Sequence, residues 1–256
     1  MSKIQKIVLF LFSALFVALL GFGIYQKYKP TEQSLGTVTS VYPQNFDALN
    51  DATLIGQDSW AKELGSSNDN AGLVAAAYAS SGKGVKSTYN SATVNLANRV
   101  ITTQNSGATT FTIKCMLANT SNSDQCRFGS SLGVAATATN IAFYIKIVKE
   151  SGANNAYLVA TDGDTALGTN LGNSFITLTA EVNWAAKTVR AKAGAGDWSG
   201  THTLSNSLAS SDRIFYYYSA ASNGNYVYLD DVTVTNDDLV TPVTSIPGKE
   251  RVLIFE

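Results

Sequence analysis

The alternation in residues 173–193, NSFITLTAEVNWAAKTVRAKA, restricts what this chain can fold into more than any other feature. Ile176, Leu178, Ala180, Val182 and Trp184 share one parity, while Thr177, Thr179, Glu181 and Asn183 share the other. A period of two sends successive side chains to opposite faces, so this is a strand with one buried and one wet face. After Ala185-Ala186-Lys187 the alternation resumes, with Val189, Ala191 and Ala193 against Arg190 and Lys192. The two runs predict a β-hairpin whose apolar faces point the same way. Such a face needs further strands to cover it.

The chain supplies them. Phe111, Ile113, Cys115 and Leu117 alternate with Thr112, Lys114 and Met116, and Ile141, Phe143, Ile145 and Ile147 alternate with Tyr144 and Lys146. Shorter runs at 73–78, 83–89, 92–102, 156–161, 214–220 and 226–235 are separated by turn-forming stretches such as Ser80-Ser81-Gly82 and the GAGDWSG loop at 194–200, with Trp198 at its tip. Gly56, Asp58 and Ser59 break residues 45–60, so a loop rather than a long strand delivers Trp60. With no long amphipathic helix and no repeat, residues 44–236 read as an all-β domain, an antiparallel two-sheet sandwich. In the last run, YVYLDDVTVT, Val227 and Leu229 have odd parity but Val232 and Val234 have even parity. Either a β-bulge at Asp230-Asp231 re-aims the side chains, or Asp230 points inward, where a carboxylate needs a counter-ion or several donors.

The N-terminus is of another kind. Lys3 and Lys6 precede eighteen uncharged residues, 7–24 (Ile7 to Ile24), and Lys27 and Lys29 follow. That is longer than a signal-peptide core and within the range of a membrane-spanning helix, so residues 1–29 predict a retained transmembrane anchor. The small-residue site Gly21-Phe22-Gly23 keeps a cleaved signal as the alternative. Both place the rest of the chain in an extracytoplasmic setting, at the cell surface or secreted. Residues 30–43 form a linker or a first edge strand, and residues 237–256, with Pro242 and Pro247, form a tail. Charged residues are 14% of the chain with a net charge of −1, which leaves no electrostatic footprint for nucleic acid. The two cysteines are Cys115 and Cys126. Pairing of the run at 110–118 with the run from Gln125, across a turn at 119–122, sets them directly opposite, which predicts a disulfide. The other reading is two buried free thiols.

His202 is the only histidine, which excludes multi-histidine zinc sites, and no Gly-x-Ser-x-Gly elbow accompanies it. Gly82-Lys83-Gly84 lacks the residues that would continue a phosphate loop. Asp162-Gly163-Asp164 with Asn170 offers fewer oxygens than calcium takes and reads as a solvated turn. Trp60 and Trp198, with Tyr216 and Tyr218 from the run of three tyrosines, are candidates for a platform on which sugar rings stack. The competing assignment puts Trp60 and Trp184 in the core and leaves only Trp198 exposed.

Three phrases carry a resemblance. Phe46-Asp47 followed by Leu54-Ile55-Gly56-Gln57-Asp58-Ser59-Trp60, then Trp184 with Thr188-Val189-Arg190-Ala191, and the closing Leu229-Asp230-Asp231-Val232-x-Val234 resemble the concanavalin A-like lectin/glucanase jelly rolls, whose members include laminin-G-like domains. The resemblance covers residues 45–235 and implies a two-sheet jelly roll, extracellular and glycan- or protein-binding. It also implies neighbouring first and last strands with a structural calcium ion between them, for which Asp47 with Asp230 or Asp231 is the candidate set. Hydrolytic relatives use Glu-x-Asp-x-x-Glu on one strand, because a retaining mechanism needs two carboxyls about 5–5.5 Å apart. That motif is absent, and Glu181 is followed by Asn183 and Ala186. The expectation is a non-catalytic, membrane-tethered binding module for a glycan or other surface polymer. Two alternatives stand beside it: a structural or adhesive component of a cell surface, appendage or virion that self-associates, and a glycoside hydrolase whose carboxylates lie outside that motif.

Overall fold

The structure, a computed structural model, describes residues 38–237 apart from 65–66, 91–93, 105–106, 119–120 and 136–137. The expected anchor at 7–24 and, beyond Asp237, the expected tail at 237–256 lie outside these residues. In chain order the strands are β1 (Val38–Gln44), β2 (Trp60–Leu64), β3 (Leu73–Ala75), β4 (Gly84–Thr88), β5 (Asn95–Gln104), β6 (Ala108–Ala118), β7 (Gln125–Ser131), β8 (Ile141–Glu150), β9 (Ala153–Ala160), β10 (Gly163–Gly168), β11 (Ile176–Asn183), β12 (Thr188–Ala193), β13 (His202–Thr203), β14 (Ser211–Ser219) and β15 (Tyr226–Asp237). One sheet has eight strands in the order β13-β12-β11-β6-β15-β4-β3, with β1 also paired to β15. The other has seven, in the order β10-β9-β8-β7-β14-β5-β2. The only α-helix among the described residues, Asn68–Ala71, is a single turn. This is the antiparallel sandwich that the alternation predicts.

The hairpin at 176–193 forms in the expected register, from Leu178 opposite Ala193 to Asn183 opposite Thr188. Lys187 takes a positive φ of 55° in its turn, a conformation needed to reverse the chain in so few residues. Ile176, Leu178, Ala180 and Val182 are buried, and so are Val189, Ala191 and Ala193. They meet the inner face of the seven-stranded sheet, built from Phe128, Phe143, Ile145, Ile147, Leu158 and Ile214. Phe111 of the first sheet meets Phe143 of the second edge-on, with ring centroids 5.3 Å apart. Each such side chain contributes roughly 1.5–3 kcal/mol by leaving water.

The opening phrase of the resemblance is built into the fold by a set of specific hydrogen bonds. Phe46 has φ 64° and a buried ring, and the Asp47 carboxylate accepts the Lys83 backbone N–H at 2.6 Å. Gln57 donates from Nε2 to the Thr53 carbonyl at 2.7 Å and accepts the Asn50 N–H at 2.8 Å, which staples the loop that delivers Trp60. Trp60 donates Nε1–H to the Tyr42 hydroxyl at 3.0 Å, and that hydroxyl donates to Asp58 at 2.8 Å. Burial and the Asp58 carboxylate hold the Tyr42 phenol above its ordinary range. Arg99 closes the arrangement, its guanidinium 3.9 Å from the Tyr42 ring centroid and paired with Asp58 at 3.2 Å.

The parity change in the last strand has a topological cause. Along its whole length β15 pairs with β6 on one side, whereas on the other it pairs first with β4 (226–229) and then with β1 (232–237). The register slips between Asp230 and Thr233, where one partner replaces the other, and Asp231 has φ 45°. The bulge returns Val232 and Val234 to the core face. It also leaves Asp230 fully buried, so the two readings of the sequence hold together. As the resemblance implies, the first and last strands are neighbours.

The disulfide expectation is corrected. Cys115 and Cys126 are both free and buried. The chain passes from one sheet to the other between β6 and β7 instead of turning back in a hairpin, so the two residues lie in opposite sheets. Cys115 is opposite Leu229 and Ile176, and Cys126 is opposite Ile147 and Tyr218. Asp162 lies in the exposed turn expected at Asp162-Gly163-Asp164, and from Gly163 the chain continues to Gly168 as an edge strand.

Candidate functional site

The inner faces of the two sheets fill each other, so any site on the sandwich is on an outer face or at a rim. The outer face of the seven-stranded sheet follows from the parity of β14. Ile214, Tyr216 and Tyr218 go into the core, which leaves Arg213, Phe215 and Tyr217 on the far side. Strand pairing extends these positions across the sheet. Leu96, Tyr217, Arg127, Lys146, Tyr157 and Ala166 are consecutive register partners on β5, β14, β7, β8, β9 and β10. Beside them runs a second row: Asn98, Phe215, Gly129, Tyr144, Val159 and Asp164. Gly129 is needed there, since a Cβ would come within 2.2 Å of the Phe143 carbonyl oxygen and 2.7 Å of the Tyr144 Cβ.

The connection between β7 and β8 folds over one end of this face. Its Ala135 packs on Leu96 and Phe215, which are nearly inaccessible although they lie outside the sandwich core. The Ala135 N–H donates to Glu63 Oε1 at 3.1 Å, and the Gly133 N–H donates to Asp212 Oδ1 at 2.8 Å. Together these elements form a cleft of about 160 Å³ lined by Leu64, Leu96, Arg127, Ile141, Phe215 and Tyr217. It is mostly apolar, with one guanidinium and one phenol among its walls. Arg127 lies between two aromatic rings, its guanidinium carbon 4.9 Å from the Tyr144 centroid and 4.5 Å from the Tyr217 centroid. Its Nε–H donates to Gln125 Oε1 at 3.1 Å.

The acidic groups on this face are each engaged. Glu63 also accepts from Asn98 Nδ2, whose Oδ1 takes a hydrogen bond from Arg213 Nη1 at 2.9 Å. Asp212 lies 3.8 Å from Arg213 Nε, and Asp164 pairs with Lys146. Glu150 Oε2 accepts from the Tyr157 hydroxyl at 2.6 Å and from Asn155 Nδ2 at 2.8 Å. These two donors hold its carboxyl below the usual range, and the same contact raises the Tyr157 phenol.

The eight-stranded sheet has its own outer patch. Tyr78 and Phe175 flank Tyr228 at centroid distances of 5.4 and 6.4 Å, and Lys86 lies 4.2 Å from the Tyr226 centroid. Burial and Tyr226 push the Tyr228 phenol up to about 12. On β12, Arg190 is held by Glu181 at 3.1 and 2.9 Å, and Trp198 lies over Arg190 and Lys192 at 4.7 and 4.9 Å.

The aromatic platform expected from the sequence is therefore not assembled. Trp60, Tyr216 and Tyr218 are core residues, 2%, 1% and 0% exposed. Trp60 and Tyr216 pack against each other at 5.6 Å, and the Tyr216 hydroxyl donates to the Ala71 carbonyl. Trp198 is partly exposed, but it lies in the loop after β12 and against Arg190 and Lys192 of the other sheet. The residue that reaches the surface from the tyrosine run is Tyr217, the one of opposite parity. Alternation along β14 sets Tyr217 apart from the other two, and the register of β14 with β5 and β7 makes its face the outer one.

Asp47, Asp230 and Asp231 do not form the expected calcium site. Asp230 Oδ2 accepts the Ser80 N–H at 3.0 Å and the Ser80 hydroxyl at 2.8 Å, its Oδ1 accepts the Asp231 N–H at 2.9 Å, and Asp231 pairs with Lys114. Asp47 and Asp230 thus fasten the two ends of the 80–83 turn by hydrogen bonds. Among the described residues no group of three or more His, Cys, Asp or Glu side chains is arranged to hold a metal ion. His202 Nδ1 lies 2.7 Å from Asp162, and this contact lowers the Asp162 carboxyl.

No protein-family model and no curated protein matches this chain. Solved structures do match its fold. The conserved carbohydrate esterase from the Shiga toxin-encoding bacteriophage phi24B superposes with a TM-score of 0.56 at 16% identity, over 78% of this chain and 100% of that one. A sialidase superposes with a TM-score of 0.54 at 8% identity, over 78% of this chain but only 19% of its own length. The catalytic domain of the glycoside hydrolase family 131 protein from Coprinopsis cinerea gives 0.54 at 12% identity, over 76% of this chain and 93% of that one. At these identities the likeness is one of fold: the chain is a jelly-roll β-sandwich of an architecture also found in carbohydrate-active proteins.

Proposed function

We propose that the outer face of the seven-stranded sheet binds a glycan, and that the protein is an exported, non-catalytic module of lectin type. The observation that carries this reading is the row Tyr217–Arg127–Lys146–Tyr157, with the apolar cleft against the covered Leu96 at one end. Strands lie about 4.8 Å apart, so the open row from β14 to β9 runs roughly 14 Å, suited to a segment of a linear polymer rather than a single ring. Tyrosine rings offer apolar faces to sugar C–H groups, and the amides and charges around them offer hydrogen bonds. The concanavalin A-like assignment is supported by the two-sheet jelly roll and by the pairing of its first and last strands. A binding role rather than hydrolysis is favoured because Glu63, Asp212, Asp164 and Glu150 are each tied to protein donors. Hydrolysis asks for a protonated and a free carboxyl facing one bond.

The test is affinity electrophoresis of the chain through gels containing a panel of polysaccharides, with chromatography of each polymer afterwards. The reading expects at least one polymer to retard the protein, a loss of about tenfold or more in affinity in Tyr217→Ala, and an unchanged polymer chain length. Shortened polymer would replace the module with an enzyme. A second reading is packing against copies of itself, which draws on Leu64, Leu132 and Val134, exposed at 37%, 40% and 46% around the same cleft. No retardation by any polymer, together with a concentration-dependent oligomer in sedimentation, would favour it.

A further inference from the structure

We propose that the glycan carries carboxylate groups and that Arg127 is the residue that reads them; this rests on the binding face proposed above. Four arginines fall among the described residues. Arg99 is paired with Asp58, Arg190 with Glu181 and Arg213 with Asp212. Arg127 alone has no carboxylate partner among the described residues, and it occupies the middle of the outward row. Its Nε–H is taken by Gln125, and its plane is held between the Tyr144 and Tyr217 rings. What remains is the Nη1/Nη2 edge, two N–H groups side by side at the spacing of two carboxylate oxygens.

Holding the guanidinium in place matters for affinity. An arginine free in solvent loses side-chain freedom when it grips an anion, whereas one already held by two rings and a hydrogen bond loses little. Leu96, Phe215 and Ile141 in the adjoining cleft keep water from one side, which strengthens a charge-assisted bond. Lys146, the register partner of Arg127, adds a second cation beside it, although its ammonium is shared with Asp164. A neutral glycan would leave the Nη edge to water. A uronate-type glycan would pair it.

The experiment compares polygalacturonate, its fully methyl-esterified form and dextran sulfate in affinity electrophoresis at two salt concentrations. The proteins are wild type, Arg127→Gln and Arg127→Lys, with equal melting temperatures required of all three. The proposal expects retardation by polygalacturonate but not by the ester, which has the same backbone without the charge. It expects a loss of about ten- to a hundredfold in Arg127→Gln and only partial recovery in Arg127→Lys, which keeps the charge but not the fork. Equal binding to the ester or to a neutral polymer, unaffected by Arg127→Gln, would overturn the carboxylate assignment and leave the glycan-binding face standing. Dextran sulfate binding as tightly as polygalacturonate, with Arg127→Lys equal to wild type, would overturn it in favour of unspecific charge attraction. Retardation by none of these polymers overturns this inference; only failure across the whole panel of polysaccharides also removes the binding face.

Discussion

Asp230 and Asp231 are neighbours in sequence with different physical situations. Asp230 is fully buried and serves three donors, whereas Asp231 is about one third exposed and pairs with a Lys114 of similar exposure. Asp230→Asn turns one of the two acceptor atoms into a donor and strands a partner, which costs about 1–3 kcal/mol or more, since a charged group is involved. Asp231→Asn keeps a residue tolerant of positive φ and loses a surface pair worth less than about 1 kcal/mol. Urea titrations of the two variants should therefore separate clearly, and equal midpoints would show that the buried carboxylate is not what fastens Ser80. Glu150 supports a prediction about pH. Its folded carboxyl is held below the ordinary range by Tyr157 and Asn155, so its contribution is present above the unfolded value near 4 and is lost as pH falls through the lowered one. Melting temperatures of wild type and Glu150→Gln should differ slightly at pH 6 and converge in acid; a gap that widens in acid would reverse the sign. The parity change at Asp230-Asp231 was legible from residues alone. The partner was not, because Ser80 is 150 positions away in the chain.

At the level of elements, local patterns carried over and non-local ones did not. The β11–β12 hairpin needs only a period of two and a turn, both present within twenty residues. Whether β6 turns back on itself or crosses to the other sheet depends on which edges are already taken, which alternation does not encode. Hence Cys115 and Cys126 look like a cross-strand pair in sequence and lie in opposite sheets in space. The tyrosine run failed for a related reason: three consecutive tyrosines occupy both faces, and only the register of β14 with β5 and β7 assigns Tyr217 to the outside. The cysteines give a direct check. Burial pushes the Cys126 thiol up to about 12 and the Cys115 thiol well above its usual value, and the thiolate is the reactive form. At pH 8 iodoacetamide should leave both unmodified in the folded protein and modify both in denaturant without reductant. A chain that takes no label in denaturant until it is reduced would restore the disulfide.

For the molecule as a whole, the sandwich leaves two outer faces with aromatic residues, of which the one on the seven-stranded sheet is the proposed binding face. The fold class was readable beforehand, and the pairing of first and last strands was implied by the resemblance; the proposed binding face was not, since it depends on cross-strand neighbours brought together from β5, β7, β8 and β14. Tyr144 and Tyr217 hold Arg127 on the seven-stranded sheet, while Tyr78 and Tyr228 stack on the eight-stranded one. The most direct measurement is the dissociation constant for a retained polysaccharide in two double variants, Tyr144→Ala with Tyr217→Ala, and Tyr78→Ala with Tyr228→Ala. Loss of binding in the first pair and an unchanged constant in the second is the predicted result. Unchanged binding in the first pair with loss in the second would contradict it and move the site to the opposite face.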